Sequence, residues 1–131
     1  VTDAQGQLSE AIHLRNAASK GKSGRVIPLN KELKAALQEL QRQAGSSSYV
    51  IVTERSEQFS SAAIVNLFAA WFRRIGLQGC SSHSGRRTFI TNAARKISTV
   101  GGSLRDVQAL AGHKALSTTQ RYIEADAAAH R

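Results

Sequence analysis

Four side chains between positions 83 and 122 are of the types that act on phosphate esters. His83 and Arg86 stand three positions apart in HSGRRTF, His113 ends LAGH, and Tyr122 follows nine positions later. An arginine fork binds two phosphate oxygens at once, and an imidazole donates, accepts or shuttles protons near neutral pH. Because a tyrosine hydroxyl can act as a covalent nucleophile, we expect these groups to converge on one phosphate.

Metal-assisted hydrolysis is the competing chemistry. It needs clustered carboxylates or His and Cys ligands, whereas the acidic residues here are scattered and Cys80 is the single cysteine. The sequence SKGKSG also lacks the GxxxxGK[ST] spacing of a phosphate-binding loop. We therefore expect no metal and no cofactor. Attack by tyrosine would keep the energy of the broken bond in a phosphotyrosyl ester, so rejoining would need no ATP.

Each of these residues also has an ordinary structural explanation. An HxxR pair arises often by chance, and an imidazole after Gly112 is favourable at a helix C-terminus. A single tyrosine on a helix is usually a packing residue. Only the combination and order of the residues favour catalysis over these explanations.

Length and charge limit the class of protein. The chain has 131 residues and 41% hydrophobic residues, which indicates one globular domain. Its formal net charge of +9 favours attraction to a polyanion, with nucleic acid the first candidate. There is no apolar run near the ~20 residues that cross a bilayer and no secretory signal, so we expect no membrane partner and a cytoplasmic location. Because the chain starts at Val1 and has no methionine, we expect a piece of a longer protein.

The first half of the chain predicts a β-hairpin followed by two helices. Glu10–Leu14 and Arg25–Leu29 are strand-like, Pro28 favours an edge or a strand end, and SKGKSG places Lys20 and Lys22 near the tip. Asn30 is a suitable N-cap for a helix ending near Gly45. We expect the following apolar run, 49–53, to be a strand or a buried link.

The second of these helices has the widest apolar face. Ser60 or Ser61 can cap it. Its apolar residues predict the core helix of the domain, and they are Ile64, Phe68, Trp71, Phe72 and Ile75.

Three more helices should carry the phosphate-binding residues. One begins near Gly85 and should bury Phe89, Ile90, Ala93, Ala94 and Ile97. After the break at Gly101, a short helix should be capped by the pair Ser103 and Asp106 and end at Gly112. The pair Ser117 and Gln120 should open the last helix. There Ile123 and Ala127 should face inward, with the Tyr122 hydroxyl at the rim.

The order of these motifs resembles the tyrosine recombinase family, the phage-integrase type. The resemblance rests on HSGRRTFITNAA, GGSLRDVQAL and AGHKALSTTQRY, and on SKGKSGRVIPL, which is similar to the family's hairpin pattern GKGxKxRxVPL. It implies an α+β catalytic domain over residues 1–131, mostly helical with a small antiparallel sheet on one side. It also implies site-specific breakage and rejoining of double-stranded DNA, with other recombinase protomers as partners in a synaptic complex. Integration or excision of a mobile element is the expected setting.

The resemblance assigns a role to each site residue. Tyr122 would form a 3′-phosphotyrosyl link, and Lys20 would protonate the leaving 5′ oxygen. Arg86 and His113 would hold the non-bridging oxygens, and His83 would assist proton transfer. The DNA-binding residues expected beside them are Lys22, Arg87, Lys114 and Arg121.

Two departures from the family pattern matter. The family has a further arginine in a GLRxxE-like helix upstream of the hairpin, and it has a separate DNA-clamping domain. Neither precedes the hairpin here, so we expect this piece to be weakly active or inactive alone. Gly85 also stands where the family commonly has a bulky apolar residue, which would loosen the start of the helix that carries Arg86.

Three other functions stay open on the sequence alone. A type IB topoisomerase shares the tyrosine chemistry. A DNA-binding module without catalysis would keep the basic charge but not the covalent step. A basic helical domain that binds a protein partner would need neither.

Overall fold

The computed structural model describes residues 1–19, 21–44, 48–56 and 58–129. They form an antiparallel hairpin and five α-helices, which confirms the predicted α+β class. The elements in chain order are β1 (Ala11–Leu14), β2 (Arg25–Pro28), α1 (Lys31–Ala44), α2 (Ser61–Arg74), α3 (Ser82–Lys96), α4 (Leu104–Ala111) and α5 (Leu116–Ala129). Over the described residues, no helix is long and apolar enough to cross a membrane.

The hairpin pairs Ile12 with Ile27 and Leu14 with Arg25. Pro28 ends β2 in a sheet of two strands, as its missing N–H predicts. A short 3₁₀ helix, Asn16–Ala18, follows β1. The predicted tip therefore contains more structure than a simple turn, and Lys20 lies outside the described residues.

Helix α1 begins as the sequence predicts and contacts the segment before the hairpin through polar side chains. The Asn30 Oδ1 accepts the backbone N–H of Leu33 at 2.7 Å, which confirms the N-cap. Lys34 forms an ion pair with Glu10 just before β1. The Gln41 side chain donates to the carbonyl of Gly6 at 2.7 Å. These polar contacts hold the N-terminal segment against α1.

Two predictions about apolar segments are wrong. The run 49–53 forms neither a strand nor a buried link, because Tyr49 through Val52 are exposed. Helix α2 is capped by Ser60 as expected, but it has no fully buried residue. Trp71 and Ile75 are 52% and 67% exposed. Phe68 packs on Trp71 in a T-shaped arrangement, and no residue of α2 belongs to the core cluster.

The core lies instead where α3, α4 and α5 meet. Ile90 and Val107 are fully buried and Ala111 almost so. Ala93, Ala94 and Ile97 of the predicted α3 face pack against this cluster. Phe89 does not, since it is 49% exposed. Residues 90, 94 and 97 follow the helical period, whereas position 89 falls one step, about 100°, off that line.

The helix boundaries near the candidate site differ in two places from the predictions. Helix α3 begins at Ser82 rather than near Gly85, because Ser81 and Ser84 form a reciprocal capping box. Helix α5 begins at Leu116, so Ser117 lies inside its first turn and is not the cap. The prediction for α4 is confirmed, since the Asp106 carboxylate accepts from the Ser103 backbone N–H at 2.6 Å.

The inward face of α5 also differs from the prediction. Ile123 is 36% exposed and Ala127 is exposed, whereas Tyr122 packs against the core cluster. The helix is rotated so that Thr119 and Tyr122, one turn apart, face α3 and α4. Tyr122 is therefore half-buried.

Candidate active site

The C-terminal end of α4 is the point at which three elements meet. Gly112 ends the helix in the left-handed conformation, with φ of +69°. The last carbonyls of a helix lack intrahelical partners and carry partial negative charge. Here the Arg25 Nε donates to the carbonyl of Leu110 at 2.8 Å, and the Arg86 Nη2 donates to that of Ala111 at 2.5 Å. Two guanidinium groups thus bind successive carbonyls.

Gly112 is required at this end of α4 for two reasons. Its positive φ disfavours residues with a side chain. A Cβ atom there would also lie 2.5 Å from the Arg25 Nη1. The small residue before His113 in LAGH thus leaves space for a guanidinium from the hairpin.

His113 is held through both its backbone and its ring. Its carbonyl accepts the Gln108 side-chain amide at 3.1 Å, and its Nδ1 lies 2.9 Å from the hydroxyl of the fully buried Thr119. Burial, with the charges of Arg86 and then Arg25, lowers the pKa of His113 below its ordinary value. The structure therefore favours the neutral imidazole.

Tyr122 lies directly on this imidazole. The two rings are stacked with centroids 5.4 Å apart and planes inclined by 17°. Arg86 donates to Ala111, which belongs to the cluster against which Tyr122 packs. The structure therefore brings together three predicted site residues: Arg86, His113 and Tyr122.

His83 is three positions from Arg86 in sequence, but no described contact connects its side chain to Arg86, His113 or Tyr122. It lies in the first turn of α3, where its backbone N–H donates to the Ser81 hydroxyl at 3.3 Å. Within the part of the chain that the structure describes, its exposed side chain makes no hydrogen bond. It stands one turn before Arg86, on the same side of α3.

A basic cleft of about 440 Å³ separates the hairpin loop from α4 and the link to α5. Lys22 and Lys114, both predicted to bind DNA, line this cleft. The Lys114 side chain lies against the loop, since a Cβ on Gly21 would be 3.5 Å from its Nζ. Arg87 and Arg121 are exposed on α3 and α5. The predicted basic residues thus divide between the cleft and the helix surfaces around it.

The sequence analysis missed several residues that shape the site. They are Arg25, Gln108 and Thr119. Arg105, by contrast, only lines the cleft. Thr119 could have been found, since it precedes Tyr122 by three positions and helical residues at that spacing share a face. Arg25 also had a local signal, since it occupies the arginine position of the hairpin pattern GKGxKxRxVPL. That pattern gives no hint of its contact, because its partner on α4 is 85 positions away.

The guanidinium groups at this helix end have no carboxylate beside them among the described residues. Among the described residues, no group of three or more His, Cys, Asp or Glu side chains is placed to hold a metal. The ion pairs in that part of the chain are Lys34 with Glu10 and Arg42 with Glu39. Neither Arg25 nor Arg86 is therefore neutralised by a described carboxylate, so both charges can attract an anion.

Comparison with known proteins assigns the family. The sequence profile of the phage integrase family matches residues 7–129. The chain belongs to this family. It is 29% identical to the tyrosine recombinase XerC of Syntrophus aciditrophicus over 79% of this chain and 36% of that protein. It is 31% identical to the tyrosine recombinase XerA of Pyrococcus horikoshii, over 79% and 36%.

Solved structures agree with the family assignment. The crystal structure of a XerA recombinase superimposes with a TM-score of 0.70 at 27% identity, covering 87% of this chain and 40% of that one. A Tn1549 transposon integrase, solved in complex with a circular intermediate DNA, shares the fold at 18% identity and a TM-score of 0.63, covering 86% and 42%. The chain thus spans well under half the length of these family members.

Proposed function

We propose that this chain supplies the cleavage chemistry of a site-specific DNA recombinase that acts through Tyr122. The observation that carries the proposal is the stacking of Tyr122 on His113, beside the guanidinium of Arg86. A nucleophile, an imidazole with a lowered pKa and a guanidinium without a described carboxylate partner are thereby gathered at one helix end. Membership of the phage integrase family and the net charge of +9 support DNA as the substrate.

The proposed step is a transesterification at the scissile phosphate. The phenol oxygen of Tyr122 forms a bond to phosphorus, and the bond to the 5′ oxygen breaks. The product is a 3′-phosphotyrosyl ester and a free 5′ hydroxyl. The phenol loses its proton, with His83 assisting, and Lys20 supplies the proton that the leaving oxygen takes up.

Arg86 and His113 stabilise the charge that develops on the non-bridging oxygens. Arg86 uses one nitrogen on the carbonyl of Ala111, and its fork has other N–H groups to offer to phosphate. If the His113 Nδ1 accepts from Thr119, the opposite nitrogen carries the proton and can donate to the same phosphate. Donors fixed in advance contribute most in this kind of catalysis.

The surrounding cations would hold the duplex. Lys22 and Lys114 in the cleft and Arg87 and Arg121 on the helices would contact backbone phosphates. Further protomers would complete a synaptic complex, and the reaction would integrate or excise a mobile element. The fold shared with a transposon integrase supports that setting.

A covalent-capture experiment tests the proposal. The full-length protein that carries this chain is incubated with randomised duplexes that contain a nick, so that cleavage beside the nick releases a short strand and traps the adduct. Adducts that survive denaturation are sequenced, and the modified residue is located by mass spectrometry. We expect one enriched site and DNA linked to Tyr122.

The matched control is the other tyrosine in the chain. Tyr122→Phe should abolish the adduct while Tyr49→Phe, at an exposed position, preserves it. Duplex binding with a steep salt dependence but no adduct would favour the DNA-binding module. Relaxation of supercoiled DNA without sequence enrichment would favour a topoisomerase. Binding without salt dependence would point to a protein partner.

A further inference from the structure

Arg25 links the hairpin to the site from the far end of the chain. It is the first residue of β2, and it donates from Nε to the carbonyl of Leu110 and from Nη1 to that of Ser23, at 2.8 and 2.9 Å. One half-buried guanidinium therefore holds the hairpin loop and the end of α4 together.

The backbone before Arg25 is tied down as well. The Gly24 N–H donates to the Asn16 Oδ1 at 2.9 Å. A Cβ on Gly24 would lie 2.7 Å from that oxygen and 2.8 Å from the Leu14 carbonyl. The loop thus closes so tightly on the end of β1 that it fixes where the Arg25 side chain emerges.

On the α4 side, Arg25 occupies the space left by Gly112, next to the carbonyl bound by Arg86. The charged and titratable groups around the His113 ring come from several elements. They are Arg25 on β2, Arg86 on α3, Tyr122 on α5 and, lining the same cleft, Lys22, Arg105 and Lys114. Of these, Arg25 is the residue that joins the two elements, because it donates to the Leu110 carbonyl on α4 and to the Ser23 carbonyl in the hairpin loop.

We propose that Arg25 is a positioning residue for the phosphate site, holding the hairpin loop and the C-terminal end of α4 in one fixed arrangement around Arg86 and His113. It acts through the Leu110 and Ser23 carbonyls rather than by contact with the phosphate. This inference rests on the proposed function, since it assigns Arg25 to the same site.

Two substitutions separate the charge of Arg25 from its geometry. Arg25→Gln removes the charge and the fork, whereas Arg25→Lys keeps the charge but cannot hold both carbonyls. Arg105→Gln is the matched control, because it removes an arginine from the same cleft. The readouts are the rate of adduct formation, duplex affinity, amide exchange in β1 and β2, and the pH titration of the His113 imidazole by NMR.

We expect Arg25→Gln to slow adduct formation about 10- to 100-fold, because that factor corresponds to the loss of a charged hydrogen bond. The duplex affinity of Arg25→Gln should be close to that of Arg105→Gln. Amide exchange in the hairpin should accelerate and the pKa of His113 should rise. Arg25→Lys should also slow the adduct but leave that pKa low. The proposal is overturned if Arg25→Gln resembles Arg105→Gln in rate, exchange and titration.

A second variant disturbs the contact between Arg25 and α4 from the α4 side. Gly112→Asn tolerates the left-handed backbone but places a Cβ against Arg25, so it should reproduce the faster hairpin exchange even if Arg25→Gln fails to fold. If the wild-type protein forms no adduct, the proposed function fails. The exchange and titration measurements on the free protein then still decide whether Arg25 holds the site together.

Discussion

The ring of Tyr122 lies stacked on the imidazole of His113, with 5.4 Å between centroids. The two residues come from α5 and from the link after α4, and the same imidazole is bonded to Thr119 one turn before Tyr122. Helix α5 thus supplies both the proposed nucleophile, Tyr122, and the Thr119 hydroxyl that orients the His113 ring. Any change that rotates α5 would move both together.

Replacing Arg86 by lysine should show that its fork geometry is needed. Arg86→Lys keeps the charge but cannot bind the Ala111 carbonyl and a phosphate in the same way. We expect adduct formation to fall about 100- to 1,000-fold, as for loss of one oxyanion donor, with a small change in duplex affinity. The control is Arg74→Lys at an exposed position of α2, outside the site, which should stay near wild type. Equal losses in both variants would argue against the role of Arg86.

Thr119→Val tests the support behind His113. The substitution preserves shape but removes the buried hydroxyl that lies 2.9 Å from Nδ1. We expect a loss of roughly 1–3 kcal/mol in unfolding free energy, measured by urea denaturation, together with slower adduct formation. Thr118→Val, its half-buried neighbour, should do neither. An unchanged rate in Thr119→Val would show that the ring is held by stacking alone.

The lowered pKa of His113 predicts an acid-sensitive fold. The folded chain favours the neutral imidazole, so below the ordinary histidine pKa of about 6.5 the unfolded chain binds more protons. The stability contributed by this group is present at neutral pH and is lost as pH falls through that value. We expect His113→Gln to lose less stability than the wild type between pH 7.5 and 5.5, about one unit on either side of the ordinary histidine pKa. Parallel pH profiles for the two proteins would contradict the prediction.

Two glycines should respond in opposite ways to the same substitution. A Cβ at Gly85, within α3, would meet no atom within 4 Å, so Gly85→Ala should stabilise the protein by roughly 0.5–1 kcal/mol. Gly112→Ala should destabilise it by more than about 1 kcal/mol, from left-handed strain and collision with Arg25. Thermal unfolding of both variants provides the test. A lower midpoint for Gly85→Ala would show that this glycine has a packing role.

Neighbouring apolar residues of α3 should separate core from surface. Ile90→Ala removes a fully buried side chain and should cost about 2–5 kcal/mol. Phe89→Ala, at a half-exposed position, should cost no more than about 1 kcal/mol. Urea denaturation measures both. A larger loss of unfolding free energy in Phe89→Ala would indicate that Phe89 packs inward, as the sequence predicts.

Local patterns in the sequence determined much of this protein. The caps at Asn30, Ser60 and Ser103 and the helix end at Gly112 are confirmed, because capping depends on residues only a few positions apart. The motifs around Arg86, His113 and Tyr122 also predicted their convergence. The roles proposed for them still await the covalent-capture experiment.

The tertiary structure decided which apolar surfaces are buried and which polar groups meet. Periodicity made α2 look like the core helix, but burial depends on what packs against a face, and the core formed among α3, α4 and α5. The same packing turned Tyr122 rather than Ile123 inward. Arg25 contacts the Leu110 carbonyl of α4 across 85 positions of sequence. A short motif describes only neighbouring residues, so the pairing of these two groups is decided by the folded chain.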